Sequence, residues 1–159
     1  MEFFEVLKKR KMIRQYKDEA IPDEDIKRIV YAGTRGSTGS NSPHRRIMVV
    51  KDQKKLKLLR IVSPGQARYI PGKSKPAALI VIYTDLTANS MGKITDSPRT
   101  GQIDAGIAAG YMHLAAVDIG IGSCIFTSVC WEGFKEIIDM PDKCKPEILL
   151  SLGHPSDKL

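Results

Sequence analysis

The sequence predicts an α+β fold in which a small β-sheet is covered by helices. ALIVIY (78–83) is a short, continuously apolar and β-branched run, as expected for a strand covered on both faces. QIDAGIAAGYMHLAAVDI (102–119) is apolar or small almost all round, which is typical of a helix buried centrally or against a partner subunit. A length of 159 residues suits one hydrophobic core, so we expect a single domain over residues 1–159.

The N-terminal half alternates helical and extended patterns. Residues 2–10 form a short amphipathic pattern, with Phe3, Val6 and Leu7 at helical spacing. A second helix begins after Pro22 with three acidic residues, and Gly33 is the residue expected to end it. The further predicted elements are a polar loop over 34–45, a strand over 47–50, a helix over 53–62 and a loop or broken helix over 63–76.

The C-terminal half contains the long apolar helix, which follows the strand at 78–83. Gly120 is predicted to end this helix. The remaining predicted elements are a polar loop over 87–100, an extended segment over 124–129, an amphipathic helix over 131–140 and a last strand over 148–152.

Composition narrows the range of partners. The formal charge of +7 favours an anionic partner. Five of the chain's lysines and arginines stand in KKRKMIRQY (8–16). This run merges into an apolar helix, which argues against a nuclear-localisation tail. Aromatic residues make up only 6% of the chain, and no motif of the usual nucleic-acid modules occurs. A nucleic-acid-binding module is therefore a weaker hypothesis than a site for a small phosphorylated ligand.

The location expected from the sequence is the cytoplasm. Charged residues from Glu2 onward leave no room for a signal peptide, and no apolar run is long enough to span a membrane. The three cysteines have neither CxxC spacing nor clustered histidines beside them, so reduced structural thiols are expected rather than a metal site.

No set of side chains has the pattern of a catalytic group. His113 stands inside the apolar helix, where a core or interface histidine is expected. His44 lies in a Ser-rich loop with no nucleophile beside it, and Cys124 is flanked by apolar residues, the usual setting of an inert thiol. If the protein is an enzyme, a cofactor must therefore carry its chemistry.

Anion-binding residues are better represented. Arg10, Lys11 and Arg14 fall where the first helix ends, and guanidinium groups can bind a phosphate bidentately. A solvated surface explains Lys8 and Lys9 equally well. A Gly-rich loop adds the hydroxyl donors Ser37, Ser40 and Ser42.

Four segments occur in an order that resembles the nitroreductase family of flavin enzymes. RKMIRQYKDEAIPDEDIKRIVYAG (10–33) is similar to that family's R-R-S-I-R-x-F opening and the helix that follows. GSTGSNSPH (36–44) aligns without gaps to P-S-x-x-N-x-Q-P-W. DAGIAAGYMHLAAVDIGIGSCIF (104–126) is similar to D-x-G-x-A-x-x-N-L-x-L-A-A-x-x-x-G-L-G-x-C-W-I, and ILLSLGHP (148–155) resembles the closing strand and G-Y-P.

This resemblance implies an intertwined homodimer built on a mainly antiparallel sheet flanked by helices, with two FMN sites at the subunit interface. It implies that Arg10, Lys11 and Met12 bind the FMN phosphate and that Arg14 lies near the ribityl chain or the pyrimidine edge. The other implied cofactor contacts are Ser37 and Ser40 toward the partner's flavin, Gln66 and Arg68 toward the pyrimidine edge, and Ile125, Phe126, Thr127 and Ser128 along the ring.

The implied activity is hydride transfer from NAD(P)H through FMN to an electron-poor acceptor, nitroaromatic or quinone-like, by a ping-pong mechanism. A flavin-binding protein of the same fold without turnover is the alternative. Nearby cations and N–H donors favour reduction of the flavin because its reduced form carries negative charge.

The sequence also departs from the family pattern. Met12 replaces Ser and so removes a hydroxyl from the phosphate site, while Ser40, Ser42 and His44 replace Asn, Gln and Trp. After the G-Y-P-like segment only Lys158 could supply the basic contact that family members commonly have there. We therefore expect FMN either to bind more weakly or to be held mainly by Arg10, Lys11 and Arg14.

Overall fold

Residues 1–88 and 98–156 are described by the structure, which is a computed structural model. Within these ranges the helices are α1 (Phe3–Lys9), α2 (Asp23–Arg35), α3 (Gln53–Ile61), α4 (Pro64–Tyr69), α5 (Pro98–Asp118) and α6 (Trp131–Ile137). The strands are β1 (Arg45–Val50), β2 (Ala78–Asp85), β3 (Gly122–Phe126) and β4 (Cys144–Gly153). Most of the predicted loop 87–100, and Lys158, lie outside the described residues.

The strands of the described residues form one sheet with the order β1-β2-β4-β3, in which every neighbouring pair is antiparallel. β2 and β4 occupy the centre, and Val81 of β2 stands opposite both Met48 and Leu149. The α+β class and the mainly antiparallel sheet expected from the sequence are confirmed.

Helices cover both faces of the sheet. On β2, Ile80 and Ile82 point into a cluster with residues of α2 and α5, whereas Leu79 and Val81 point into a cluster with residues of α3 and α6. All four side chains are fully buried. This is why ALIVIY is apolar at every position instead of alternating between apolar and polar residues.

The prediction that Gly33 ends the second helix is wrong, because α2 continues to Arg35. A Cβ added to Gly33 would lie 2.8 Å from the side chain of Met112 on α5. The glycine is therefore needed for the close packing of two helices and not for a turn. Gly120 does end α5 as predicted, with a φ of +77° that favours glycine.

Other boundaries also differ from the sequence prediction. α5 begins at Pro98, inside the predicted loop 87–100. Its first turn is polar in sequence because it packs over polar groups: a Cβ on Gly101 would meet Thr84 Oγ1 and Glu147 Oε1. The broken helix expected within 63–76 is α4, which begins with Pro64 at its first position.

Candidate functional site

Residues 10–16, here called the basic segment, leave α1 and lie across the edge of the sheet. The backbone N–H of Ile13 donates to the carbonyl of Ser123 at 2.9 Å, and the N–H of Lys17 donates to the carbonyl of His154 at 2.8 Å. The segment is therefore fixed by backbone hydrogen bonds to β3 and to the residue that follows β4.

Two side chains anchor the basic segment to the core. Ile13 packs against the cluster that contains Tyr16. Tyr16 is 4% exposed, its hydroxyl lies 2.8 Å from Ser151 Oγ, and its backbone N–H donates to Ser74 Oγ at 2.7 Å. Burial raises the pKa of Tyr16 well above its usual range, so its phenol stays neutral and acts as a structural anchor.

Ile13 and Tyr16 are turned inward, whereas Lys11 and Arg14 are exposed. A cleft of about 380 Å³ is lined by Lys11, Met12, Ile13, Arg14, Gln15, Tyr69, Pro155 and Ser156. The guanidinium of Arg14 lies 5.6 Å from the centre of the Tyr69 ring, and that of Arg68 lies 5.4 Å from the same ring.

The cations of this cleft have no acidic partners in the described part of the chain. The ion pairs found in residues 1–88 and 98–156 involve other cations, such as Lys8 with Glu5 and Lys75 with Asp18. Lys11 and Arg14 thus stand at a cleft with their charge uncompensated, which is the electrostatic condition for binding an anion.

Arg10 stands at the C-terminal end of α1, and its guanidinium faces His113 of α5. Arg10 Nη1 lies 3.5 Å from His113 Nε2, while His113 Nδ1 lies 2.6 Å from Ser123 Oγ. The sequence indicated a core histidine at 113 and gave no sign of this contact, since 103 residues separate the two partners.

α4 contributes Tyr69 to this cleft and also contacts the chain that leaves β3. The N–H of Gly65 donates to the carbonyl of Ser128 at 3.3 Å, and a Cβ on Gly65 would lie 3.0 Å from the Phe126 ring. Next to it, Gln66 is 1% exposed and its Nε2 has no hydrogen-bond partner among the described residues. A buried amide without an acceptor is costly. Gln66 lines a separate cavity of about 300 Å³, which shares no residue with the cleft of the basic segment.

The predicted ring-contact residues differ in exposure. Ile125 is half-buried and packs toward α5, and Phe126 is buried in the opposite cluster. Thr127 and Ser128 are exposed beyond the end of β3. Cys124 is buried, and burial raises the pKa of its thiol, which agrees with an unreactive structural cysteine.

The loop that carries Ser37 and Ser40 lies in a different place. These serines are exposed, and Ser37 lines a cleft of about 690 Å³ that shares no residue with the cleft of the basic segment. Arg45 stabilises this loop by donating to the carbonyls of Gly36 at 2.6 Å and Ser37 at 3.0 Å. Within one chain, Ser37 and the basic segment therefore line different clefts.

A buried pair that the sequence did not indicate holds the same loop. His44 Nε2 lies 3.0 Å from Asp104 Oδ2, and both side chains are almost fully buried. The same carboxylate oxygen accepts the N–H of Gly39 at 2.9 Å. Asp104, the first residue of the motif at 104–126, therefore fixes the loop at 36–44 to α5.

A comparison with models of protein families identifies the family of this chain. The model of the Nitroreductase family matches residues 7–154. The chain belongs to the nitroreductase family. The matched region includes the basic segment, Tyr69 at its cleft, and the loop held by Asp104, whereas Pro155 and Ser156, which also line the cleft, follow the matched region.

Curated relatives agree with this nitroreductase assignment. A Staphylococcus haemolyticus protein named NADPH-dependent oxidoreductase is 28% identical over 165 residues, which are 97% of this chain and 65% of that protein. A Staphylococcus aureus protein of the same name is 28% identical over 167 residues with the same coverage. The chain thus spans 65% of the length of each of these two relatives, which is slightly less than two thirds.

Solved structures share the nitroreductase fold. A Clostridium difficile FMN-dependent nitroreductase is 25% identical with a TM-score of 0.77, covering 97% of this chain and 88% of that chain. A Desulfovibrio desulfuricans protein described as a nitroreductase in complex with FMN has a TM-score of 0.84 at 21% identity, covering 99% and 88%.

No helix in the described parts of this nitroreductase is both long and apolar enough to cross a membrane.

Proposed function

We propose that the protein is an FMN-dependent oxidoreductase that takes hydride from NADH or NADPH and passes it to a small electron-poor acceptor, nitroaromatic or quinone-like, in a ping-pong cycle. Family membership and the names of its relatives support this proposal. The observation that carries it is the basic segment, whose Lys11 and Arg14 line a cleft and have no carboxylate partner among the described residues, while backbone hydrogen bonds of Ile13 and Lys17 fix this part of the chain to β3 and to the residue after β4.

The residues of the cleft fit FMN. Lys11 at the cleft and Arg10 next to it in the chain can bind the phosphate as charged donors, and Arg14 beside Tyr69 can bind the ribityl or pyrimidine side. Gln66 lines a separate cavity of this chain, but its Nε2 has no hydrogen-bond partner among the described residues, which supports the proposal that it donates to a flavin carbonyl. Met12 offers no hydrogen bond, so the site depends on its cations.

Bound FMN would supply the chemistry of accepting and releasing hydride, and the chain's own residues would adjust its energetics. Arg14 and the Gln66 amide would stabilise negative charge on the reduced cofactor. The exposed backbone at Thr127 and Ser128 would leave one face of the ring open to both substrates in turn. No side-chain proton donor is required, since protons can come from solvent.

A second copy of the chain is the proposed partner. The exposed serines at Ser37 and Ser40 do not share a cleft with the basic segment of their own chain, which supports the proposal that they contact the flavin of another subunit. α1 and α5 pack together and leave apolar side chains uncovered, namely Phe3 at 60%, Phe4 at 72%, Ile103 at 51% and Tyr111 at 48% exposure. Large apolar side chains exposed on two packed helices are consistent with a subunit interface.

An absorption spectrum before and after anaerobic addition of NADH or NADPH tests the proposal. We expect flavin bands after incubation with FMN and their loss on adding at least one nicotinamide. A protein that stays colourless after FMN is added would contradict the proposal. If FMN binds but neither NADH nor NADPH bleaches it, the alternative is favoured, namely a flavin-binding protein without turnover. Met12 in place of the family's serine is the reason to test this alternative.

A further inference from the structure

His113 is a buried polar residue in the most apolar helix of the protein. It is 3% exposed and stands on α5 between the fully buried residues Met112 and Ala116. Its two ring nitrogens have different partners: Nδ1 faces Ser123 Oγ at 2.6 Å, and Nε2 faces Arg10 Nη1 at 3.5 Å.

The chemistry of these partners determines the state of the imidazole. A guanidinium can only donate, so Nε2 must be the acceptor, and Nδ1 therefore carries the proton and donates to Ser123 Oγ. Ser123 also accepts the backbone N–H of Ile13 through its carbonyl. One residue of β3 thus fixes the basic segment through its backbone and the imidazole through its side chain.

We propose that neutral His113 is a positioning residue that holds the Arg10 guanidinium toward the phosphate of the cofactor, and that protonation of His113 releases Arg10. This inference rests on the proposed function, in which Arg10 binds the FMN phosphate. Met12 has no hydroxyl that could help to bind the phosphate. Binding of the phosphate therefore depends more strongly on the orientation of Arg10, which is the role proposed for His113.

The surroundings of His113 oppose its protonation. Burial and the charge of Arg10 both lower the pKa of His113 below its usual value. Among the described residues, the histidines with a nearby carboxylate are His44 and His154, whereas on α5 itself Asp118 pairs with the N-terminal amine. An imidazolium at this position would lose its acceptor nitrogen and repel Arg10.

FMN titrations of three proteins at pH 8 and pH 5.5 test the inference. In His113→Gln, the amide oxygen can replace the Nε2 acceptor without titrating. In His113→Asn, the shorter amide can reach Ser123 but not Arg10. The second ionisation of the phosphate, near a pKa of about 6, affects all three proteins equally.

We expect wild-type affinity for FMN to fall more than that of His113→Gln between the two pH values. We expect His113→Asn to bind about tenfold more weakly at pH 8, as loss of one oriented charged donor predicts. Parallel pH profiles of the wild type and His113→Gln, or wild-type affinity in His113→Asn, would overturn the proposal.

Nitrogen NMR of the imidazole in the flavin-free protein gives a second, independent readout. We expect the Nδ1-protonated tautomer, and we expect the pKa of His113 to rise when the exposed Arg10 is changed to alanine. An Nε2-protonated tautomer, or a pKa insensitive to Arg10, would overturn the inference. If the NMR result holds but no variant binds FMN, the proposed function fails, and only the contact between Arg10 and His113 stands.

Discussion

Gly122 and Gly153 are direct partners in the register of β3 and β4, and both lie beneath the basic segment. A Cβ on Gly122 would lie 2.7 Å from Ile13, and one on Gly153 would lie 2.6 Å from the Tyr16 ring. The pair makes a flat area on the sheet where the two anchor residues rest. The position of Arg14 between those anchors therefore depends on two glycines more than 100 residues further along the chain.

Gly122→Ala is expected to displace the basic segment. The added methyl group overlaps Ile13, so we predict a loss of about 1–3 kcal/mol in the free energy of unfolding together with weaker FMN binding. Urea denaturation and FMN titration measure the two effects. Gly72→Ala is the matched control, because nothing lies within 4 Å of its added Cβ. Equal behaviour of the two variants would contradict the packing described here.

Met12→Ser is expected to strengthen FMN binding and weaken the fold. The new hydroxyl can donate to the phosphate, which is worth up to about tenfold in affinity. Met12 packs against the core, so its truncation should cost on the order of 1–3 kcal/mol of stability. Met12→Ala removes the same packing without adding a hydroxyl. If both variants bind FMN equally, position 12 does not face the phosphate.

Ser40→Asn is expected to stabilise the protein by a few tenths to about 1 kcal/mol. Ser40 has a φ of 52° and a ψ of 27°, a left-handed conformation that asparagine tolerates better than serine. Thermal unfolding of this variant and of Ser37→Asn, which changes the same loop without this conformation, checks the prediction. Unequal stabilisation in favour of Ser37→Asn would show that backbone strain at Ser40 is not the cause.

Ile103→Glu is expected to convert a dimer to monomers. Ile103 is 51% exposed on α5, and a carboxylate there would be buried without a partner if two copies pack through this helix. Ile61→Glu changes an isoleucine that is 77% exposed on α3 and should leave the dimer intact. Light scattering after size-exclusion chromatography gives the masses. A wild type that is monomeric at all concentrations would contradict the proposed interface.

The elements that could be predicted from the sequence are those with a clear burial pattern. The sequence predicts β2 because it is apolar at every position, and α5 because it is apolar or small almost all round. The pattern of β2 reflects a sheet that helices cover on both faces. Gly33 was misinterpreted because glycine is as useful for close helix packing as for ending a helix. Only the contact with Met112 separates these two uses, and local sequence does not contain it.

The candidate site could be predicted from the sequence only where its residues are neighbours in the chain. The cations of the basic segment stand close together in the chain, so their pattern is visible. The partners of His113 and His44 are distant, at Arg10 and Asp104, and no local pattern connects such residues. The separation of the serine loop from the basic segment likewise follows from topology, and it is the observation that calls for a second subunit.

The affinity for FMN of Arg10→Ala/Arg14→Ala, compared with that of Lys8→Ala/Lys9→Ala, tests the central claim most directly. Both variants remove two cations from the same run, but Lys8 lies in solvent beside Glu5, whereas Arg14 lines the cleft. Loss of two charged donors predicts binding weaker by about 100-fold or more in the arginine variant, with unchanged circular dichroism and mass. The lysine variant should bind nearly as the wild type does. Unchanged FMN affinity in the arginine variant, or an equal loss in both, would contradict the account.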